Sequence, residues 1–327
     1  MIDFLSLTQK TVGYETLVKD KNVNKLSHAY LVVVKDERYM KEYLKIFATV
    51  IACEENSPCF ACRTCSLVQN GIHPDVLHYP KEKDSVTASE AVEIVEQTHV
   101  KPLEGEKKIF VIENAQKMNV ASQNKLLKTL EEPPKNTYFI LGTTNETLIL
   151  PTVKSRTKIL NVSSLDKEAL FDSLKADFGD LEKLKSAIAC SDGTVNGVVE
   201  NYNDEKLKEQ TEFITDLLVN MQSSKEVLKF TERYNQLQAE PLKFLSVLEI
   251  VVRDLLCYIN GNEQLVKNVD VFNKVKGAEG FTNGAIIEIL EKIFLSQRRI
   301  DAQNKPDMVI EWLFFQILEV KYKWRKL

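Results

Sequence analysis

Apolar residues fall in short runs through the first half of the chain and at three- and four-residue steps through the second. His28–Val34 (HAYLVVV), Lys108–Ile112 (KIFVI), Tyr138–Thr143 (YFILGT) and Lys158–Val162 read as strands, being short and rich in β-branched and aromatic side chains. Between them Arg38–Ala52 and Val120–Leu130 carry helical spacing. Pro133 and Pro134 end the second helix, because proline has no amide hydrogen to continue the ladder. Strands alternating with helices predict a mostly parallel sheet covered on both faces. Beyond Val162 the strand signals stop, and Leu165–Asn201 predicts a few short helices broken at Gly193 and Gly197. From Asp204 onward the pattern is of long amphipathic helices such as Leu242–Ile259 and Gly284–Ile300, punctuated by Asn260, Gly261, Gly277 and Gly280. The predicted organisation is an α/β domain over 1–162, a small helical domain over 163–203 and a helical domain over 204–327. Met308–Val320 (MVIEWLFFQILEV) is apolar on most of its faces and needs a core or an interface to cover it.

Composition narrows the function classes. Hydrophobic residues make up 44% and charged residues 28% of the 327, the balance of a soluble globular chain. No apolar run approaches the ~18–20 residues that a membrane helix needs. The N-terminus, MIDFLSLTQKTVGYETL, has no basic segment followed by an apolar one, so a cytoplasmic location is expected. The formal net charge is −4 and the pI is near 5.8, whereas a protein that grips DNA alone tends to carry a basic excess. Any nucleic acid is therefore expected to be held through partners or a local patch. The terminal Lys321, Lys323, Arg325 and Lys326 read as a solvated basic tail, and Arg298 and Arg299 as cations suited to the end of a helix.

Of the six cysteines, four lie between Cys53 and Cys65. Cys59-x2-Cys62-x2-Cys65, preceded by Cys53, offers four soft ligands, the number that tetrahedral zinc prefers. An all-cysteine site leaves no open coordination position, so such a zinc would be structural. Buried free thiols and a redox-active pair are the alternatives. Cys190 and Cys257 fall in helical apolar patterns and read as core, and His73 as a packing or capping residue of the His73–Asp75 turn.

Five segments then occur in a telling order: Leu26–Leu31 (LSHAYL), the cysteine cluster, His73–Asp75 (HPD), Ala121–Pro134 (ASQNKLLKTLEEPP) and Leu150–Thr157 (LPTVKSRT). Together they resemble the bacterial clamp-loader subunits of the AAA+ class, gamma/tau and delta-prime. The resemblance implies an AAA+-type N-terminal domain with a parallel sheet and an inserted zinc module at about 53–65. A small helical lid and an all-α collar that drives oligomerisation would follow.

That family places a phosphate-binding loop after the HAYL strand, with glycines for close backbone approach, a lysine for the phosphates and a Ser/Thr for magnesium. Here the stretch is Val34-Lys35-Asp36-Glu37-Arg38-Tyr39-Met40-Lys41, without glycine and with Met40 at the lysine's place. Glu113-Asn114 stands where the Walker B strand should end in Asp-Glu, and Gly193–Val199 lacks the sensor-2 arginine. The resemblance thus narrows to the delta-prime branch, with no nucleotide bound by this chain and no ATPase activity of its own. Ser155-Arg156-Thr157 stands where the family usually has Ser-Arg-Cys. There Arg156, with Ser155 beside it, would reach into a neighbouring subunit's ATP site. A permanent planar cation suits charge spreading over γ-phosphate oxygens. The implied partners are gamma/tau and delta subunits, and through them the sliding clamp and primed DNA, with no membrane. An active clamp-loader ATPase with a degenerate loop and a zinc-containing nucleic-acid-binding module are the competing functions.

Overall fold

The computed structural model describes residues 2–55, 58–81, 84–162, 165–262, 265–266 and 281–325. They form two compact units. The first comprises Met1–Gly179 with Asp192–Asn196, and the second Asp180–Ser191 with Gly197–Leu327. The segment read as a separate small domain, 163–203, is divided between them.

In the first unit β1 (Ala29–Val34), β2 (Val76–Tyr79), β3 (Lys108–Ile112), β4 (Thr137–Thr143) and β5 (Lys158–Val162) form one sheet in the order β2-β3-β4-β1-β5. Every pairing is parallel. Around it lie α1 (Phe4–Gln9), α2 (Val12–Asn22), α3 (Met40–Ala52), α4 (Arg63–Gln69), α5 (Ala88–Thr98), α6 (Val120–Glu131), α7 (Pro151–Lys154) and α8 (Lys167–Leu174). Alternation along each strand supplies two cores. Tyr30, Val32 and Val34 pack with Leu44, Phe47 and Ile51 of α3. Ala29 and Leu31 face the other way, with Ile94 of α5, Leu126 and Leu130 of α6 and Val153 of α7. This explains why β1, β3 and β4 read as continuous apolar runs rather than as alternating ones. β2 escaped the sequence reading because it is only four residues long, with half-buried Leu77 and His78 in its middle.

Close approach of α3 to β4 depends on Gly142. A Cβ there would lie 2.6 Å from Leu44 Cδ1 and 2.8 Å from Met40 Sδ. The cluster at His73–Asp75 has a local purpose. His73 Nδ1 accepts from the Asp75 amide at 3.1 Å, as the packing reading expected. The Asp75 carboxylate accepts from the amides of Leu103, Glu104 and Gly105 at 2.6, 2.8 and 3.2 Å, which fixes the loop leading into β3.

The second unit is helical, with α9 (Leu181–Ala189), the continuation of α10 (Val195–Asn203), α11 (Leu207–Asn220), α12 (Ser224–Leu237), α13 (Pro241–Ile259), α14 (Asn283–Asp301) and α15 (Pro306–Arg325). Its centre is an aromatic cluster of Phe213, Tyr234, Phe244 and Phe314, in which the Tyr234 and Phe244 rings meet edge-on at 4.8 Å. Ile310, Leu313, Phe314 and Ile317 of α15 are fully buried, whereas Met308 is 68% and Phe315 37% exposed. Gly284 opens α14 beneath the Trp324 ring, where a Cβ would fall 2.1 Å from the indole.

One expectation is corrected here. Lys321 is not part of a solvated tail: it is 2% exposed, and its ammonium donates to the carbonyls of Leu218 and Met221 at 2.8 and 3.1 Å. Those carbonyls belong to the end of α11, where the last helical acceptors lack partners of their own. Lys323 pairs with Glu288 at 2.8 Å, while the Arg325 side chain, Lys326, Gly277 and Gly280 lie outside the described residues.

Candidate functional site

In an open parallel sheet, ligands bind beyond the carboxyl ends of the strands, where adjacent strands send their connections to opposite sides. In this order β1 leads leftward to β2 while β4 leads rightward to β5, so the crevice falls at the ends of β1 and β4. Lys35–Tyr39 leave β1 there, and α3 begins at Met40.

That crevice is occupied by the chain's own side chains. Met40 is 1% exposed, and its sulfur accepts from the Asn114 amide at 3.3 Å. Asn114, at the end of β3, sits in the left-handed region at φ 52°, a conformation asparagine tolerates. Asp36, 4% exposed, turns its carboxylate onto the start of α10 and accepts from the Asn196 amide at 3.1 Å. A carboxylate suits a helix N-terminus, because the first amides there have no helical acceptor. Burial nevertheless pushes the Asp36 carboxyl above its ordinary range, against the pull of these amides. Glu37 is tied to Lys117 at 2.5 Å. Between Val34, Asp36, Tyr43, Val162 and Thr194 the remaining void is about 10 Å³.

The four cysteines are brought together. Cys53 caps the end of α3, Cys62 caps the start of α4 and Cys65 lies in its first turn. The four sulfurs lie within 4.8 Å of one another, with Cys59 3.8 Å from both Cys53 and Cys65. A tetrahedron of thiolates at the zinc–sulfur distance of about 2.3 Å has edges of about 3.8 Å, so the donor set fits such an ion. Backbone amides point at the sulfurs, Cys62 N at 3.4 Å from Cys59 and Cys65 N at 3.5 Å from Cys62. The Ala61 and Cys62 amides pull the Cys59 thiol down to about 6, whereas burial pushes Cys65 up.

Two ammonium groups stand behind this cluster. Lys21 donates to the carbonyls of Val50 and Cys53 at 2.8 and 2.6 Å, and Lys107 to that of Ile51 at 2.8 Å. They satisfy the last acceptors of α3. Burial lowers both lysines, with Cys53 opposing it.

Arg156 lies toward the opposite, amino-terminal ends of the strands. It stands two residues before β5, whose Lys158 pairs with Tyr30 near the start of β1 and whose Val162 pairs with Val34 at its end. Four strand steps, about 13 Å at ~3.3 Å each, separate that end of the strands from the crevice. The turn is held by its own hydroxyls: Ser155 donates to the Thr152 carbonyl and Thr157 to that of Lys154, each at 3.1 Å. Arg156 Nη1 donates to the Thr152 carbonyl at 2.7 Å and to Ser155 Oγ at 3.3 Å, and Nη2 pairs with Glu131. Ser155 is itself exposed, and its hydroxyl accepts from the arginine while donating to the Thr152 carbonyl.

α6 spans between crevice and arginine. Asn119 caps its start, accepting from Ser122 N at 2.8 Å. Gln123, 5% exposed, donates to the Met118 carbonyl at 3.1 Å and accepts from the Leu150 amide at 3.0 Å. Glu131, the last residue of α6, meets Arg156. Sequence reasoning had quoted Gln123 and Glu131 within ASQNKLLKTLEEPP without giving either a role. Only the polar residues inside an otherwise amphipathic repeat could have signalled them.

Residues 9–166 match a family described as DNA polymerase III, delta subunit. The chain is 26% identical to the DNA polymerase III subunit delta' of Bacillus subtilis, over 94% of each chain. It is 25% identical to the subunit delta' of Haemophilus influenzae, over 90% of this chain and 91% of that one. Subunit tau of Bacillus subtilis is also 25% identical, over 96% of this chain but 61% of its own length. No helix among the described residues is long and apolar enough to cross a membrane. The family match over residues 9–166 and the similarity along nearly the whole chain make this protein similar to the delta' subunits of DNA polymerase III.

Proposed function

We propose that this chain is the clamp-loader subunit that has given up its own ATP site and serves a neighbour's instead. In this reading it assembles with gamma/tau and delta subunits, adopts the AAA+-type role its motifs imply, and supports placement of the sliding clamp on primed DNA. Met40 and Asp36 fill the position that phosphates would take, and Met40 stands where the phosphate-binding lysine would be expected. Arg156 supplies the cation in trans.

One observation carries this reading. Arg156 and the phosphate-loop position lie at opposite ends of two adjacent parallel strands, β5 and β1, which sets the arginine apart from a nucleotide held at that loop of its own chain. It is also 30% exposed, on a turn braced by Ser155 and Thr157. A planar guanidinium there is suited to charge on the γ-phosphate of an adjacent subunit.

The cysteine cluster is read as a structural zinc site, with Cys53, Cys59, Cys62 and Cys65 as ligands. Zinc would supply cross-linking of the 53–65 segment to α3 and α4 and no reaction chemistry, since four thiolates leave no open position. Lys21 and Lys107 would offset the net negative charge that four thiolates leave around a divalent ion. Calorimetry with ATP and magnesium on the isolated chain is the test of the lost site. No binding is expected, and a dissociation constant in the low micromolar range would contradict the reading.

A further inference from the structure

We propose that Glu131 is a latch on Arg156, holding the guanidinium neutralised until a neighbour's nucleotide phosphate displaces it. This rests on the reading of Arg156 as a trans-acting arginine and concerns how that same site is regulated.

Glu131 is the one charged partner of Arg156 among the described residues. The other acceptors, the Thr152 carbonyl and Ser155 Oγ, are neutral and belong to the arginine's own turn. They fix where the guanidinium sits, while Glu131 balances its positive charge. The carboxylate also stands in the last residue of α6, where the helix dipole disfavours an anion. Arg156 offsets that cost, so the pair is complementary in both directions. Pro133 and Pro134 follow at once and restrict the backbone that carries Glu131.

Magnitude decides between a latch and a permanent tie. The side chains are 30% and 47% exposed. A pair so open to water contributes about 0.2–1 kcal/mol. Two phosphate oxygens carrying more charge can replace one carboxylate at that cost, which a fully buried pair would not allow. Glu131 should therefore compete with nucleotide for the arginine without abolishing its use. Arg156 Nε, buried and without a hydrogen-bond partner, is a further donor that the resting pair leaves unused.

The test uses the assembled complex with every ATP site but the one beside this chain inactivated. Clamp- and DNA-stimulated ATP hydrolysis is measured with wild-type chain, Glu131→Gln, Arg156→Ala and the double variant. By the exposed-pair magnitude, Glu131→Gln is expected to lower KM for ATP by about 1.4- to 5-fold with kcat unchanged. The change should vanish in the Arg156→Ala background. An unchanged KM for Glu131→Gln, with Arg156→Ala still slowing hydrolysis, would overturn the latch and leave the trans-arginine standing. A lowered KM that persists without Arg156 would overturn it too, by placing the effect elsewhere. Arg156→Ala indistinguishable from wild type would remove both.

Discussion

The amide of Asn114 donates to the sulfur of Met40 across 3.3 Å, joining the end of β3 to the first residue of α3. A thioether thereby closes the space between the chain leaving β3 and the start of α3. Thioether sulfur is a weak acceptor, so the contact matters more for packing than for hydrogen bonding. Met40→Ala should lower the stability of the first unit by about 2–5 kcal/mol, the cost of a cavity in a closed core. It should not create ATP binding, because Asp36 and the missing lysine remain. Chemical denaturation and calorimetry on the same variant check both halves.

Asp36 gives a pH signature. Burial raises its carboxyl above the ordinary value of 3.8, so the folded chain holds this proton more tightly than the unfolded chain does. Its contribution to stability is greatest at low pH and declines as pH rises through the raised value. Asn at this position can still accept from the Asn196 amide and carries no buried charge. Asp36→Asn should therefore gain stability relative to the wild type as pH rises from about 4 to neutrality. Thermal unfolding across that range should show the difference growing, and a constant or shrinking difference would contradict it.

β1, β3 and β4 were legible because burial on both faces makes a parallel strand a continuous apolar run, and the long helices because their apolar residues recur at three- and four-residue steps. The short edge strand Val76–Tyr79 lacks that signature. The clustering of the four cysteines was legible from their spacing. The tether from Arg156 to Glu131 was not, since it joins residues 25 apart that meet only because α6 runs back alongside the sheet. Lys321 misled for a related reason: a lysine near a terminus reads as solvated until a helix end supplies carbonyls for it.

The cysteine cluster predicts one zinc ion per chain. Elemental analysis of reduced, metal-replete protein should find it, and Cys65→Ser should lose it. Chelation should loosen the segment around α4, seen as faster amide exchange there, while the helical second unit is unaffected. Absence of zinc from metal-replete protein would leave four free thiols as the account of these residues.

The second unit predicts an assembly surface. Met308, Phe315 and Tyr322 are exposed at seven-residue intervals along α15, at 68%, 37% and 47%, which places them on one helical face. Met308→Asp with Phe315→Asp should weaken co-assembly with gamma/tau and delta while leaving the folded chain's melting temperature close to wild type, as expected for exposed positions. Undiminished assembly by native mass measurement would move the interface elsewhere.

The central claim is that Arg156 acts on another subunit's nucleotide. Arg156→Ala should fold, keep its metal and join the complex, because a half-exposed turn residue contributes little to stability. The decisive measurement is ATP hydrolysis at the adjacent site in the fully assembled complex. A finger contributes on the order of 10³–10⁵ in rate at its own site in related phosphoryl transfers. The account predicts a loss of that kind at this one site, with poor rescue by Arg156→Lys, whose point charge lacks the planar fork. Unchanged hydrolysis at that site in an intact Arg156→Ala complex would contradict it.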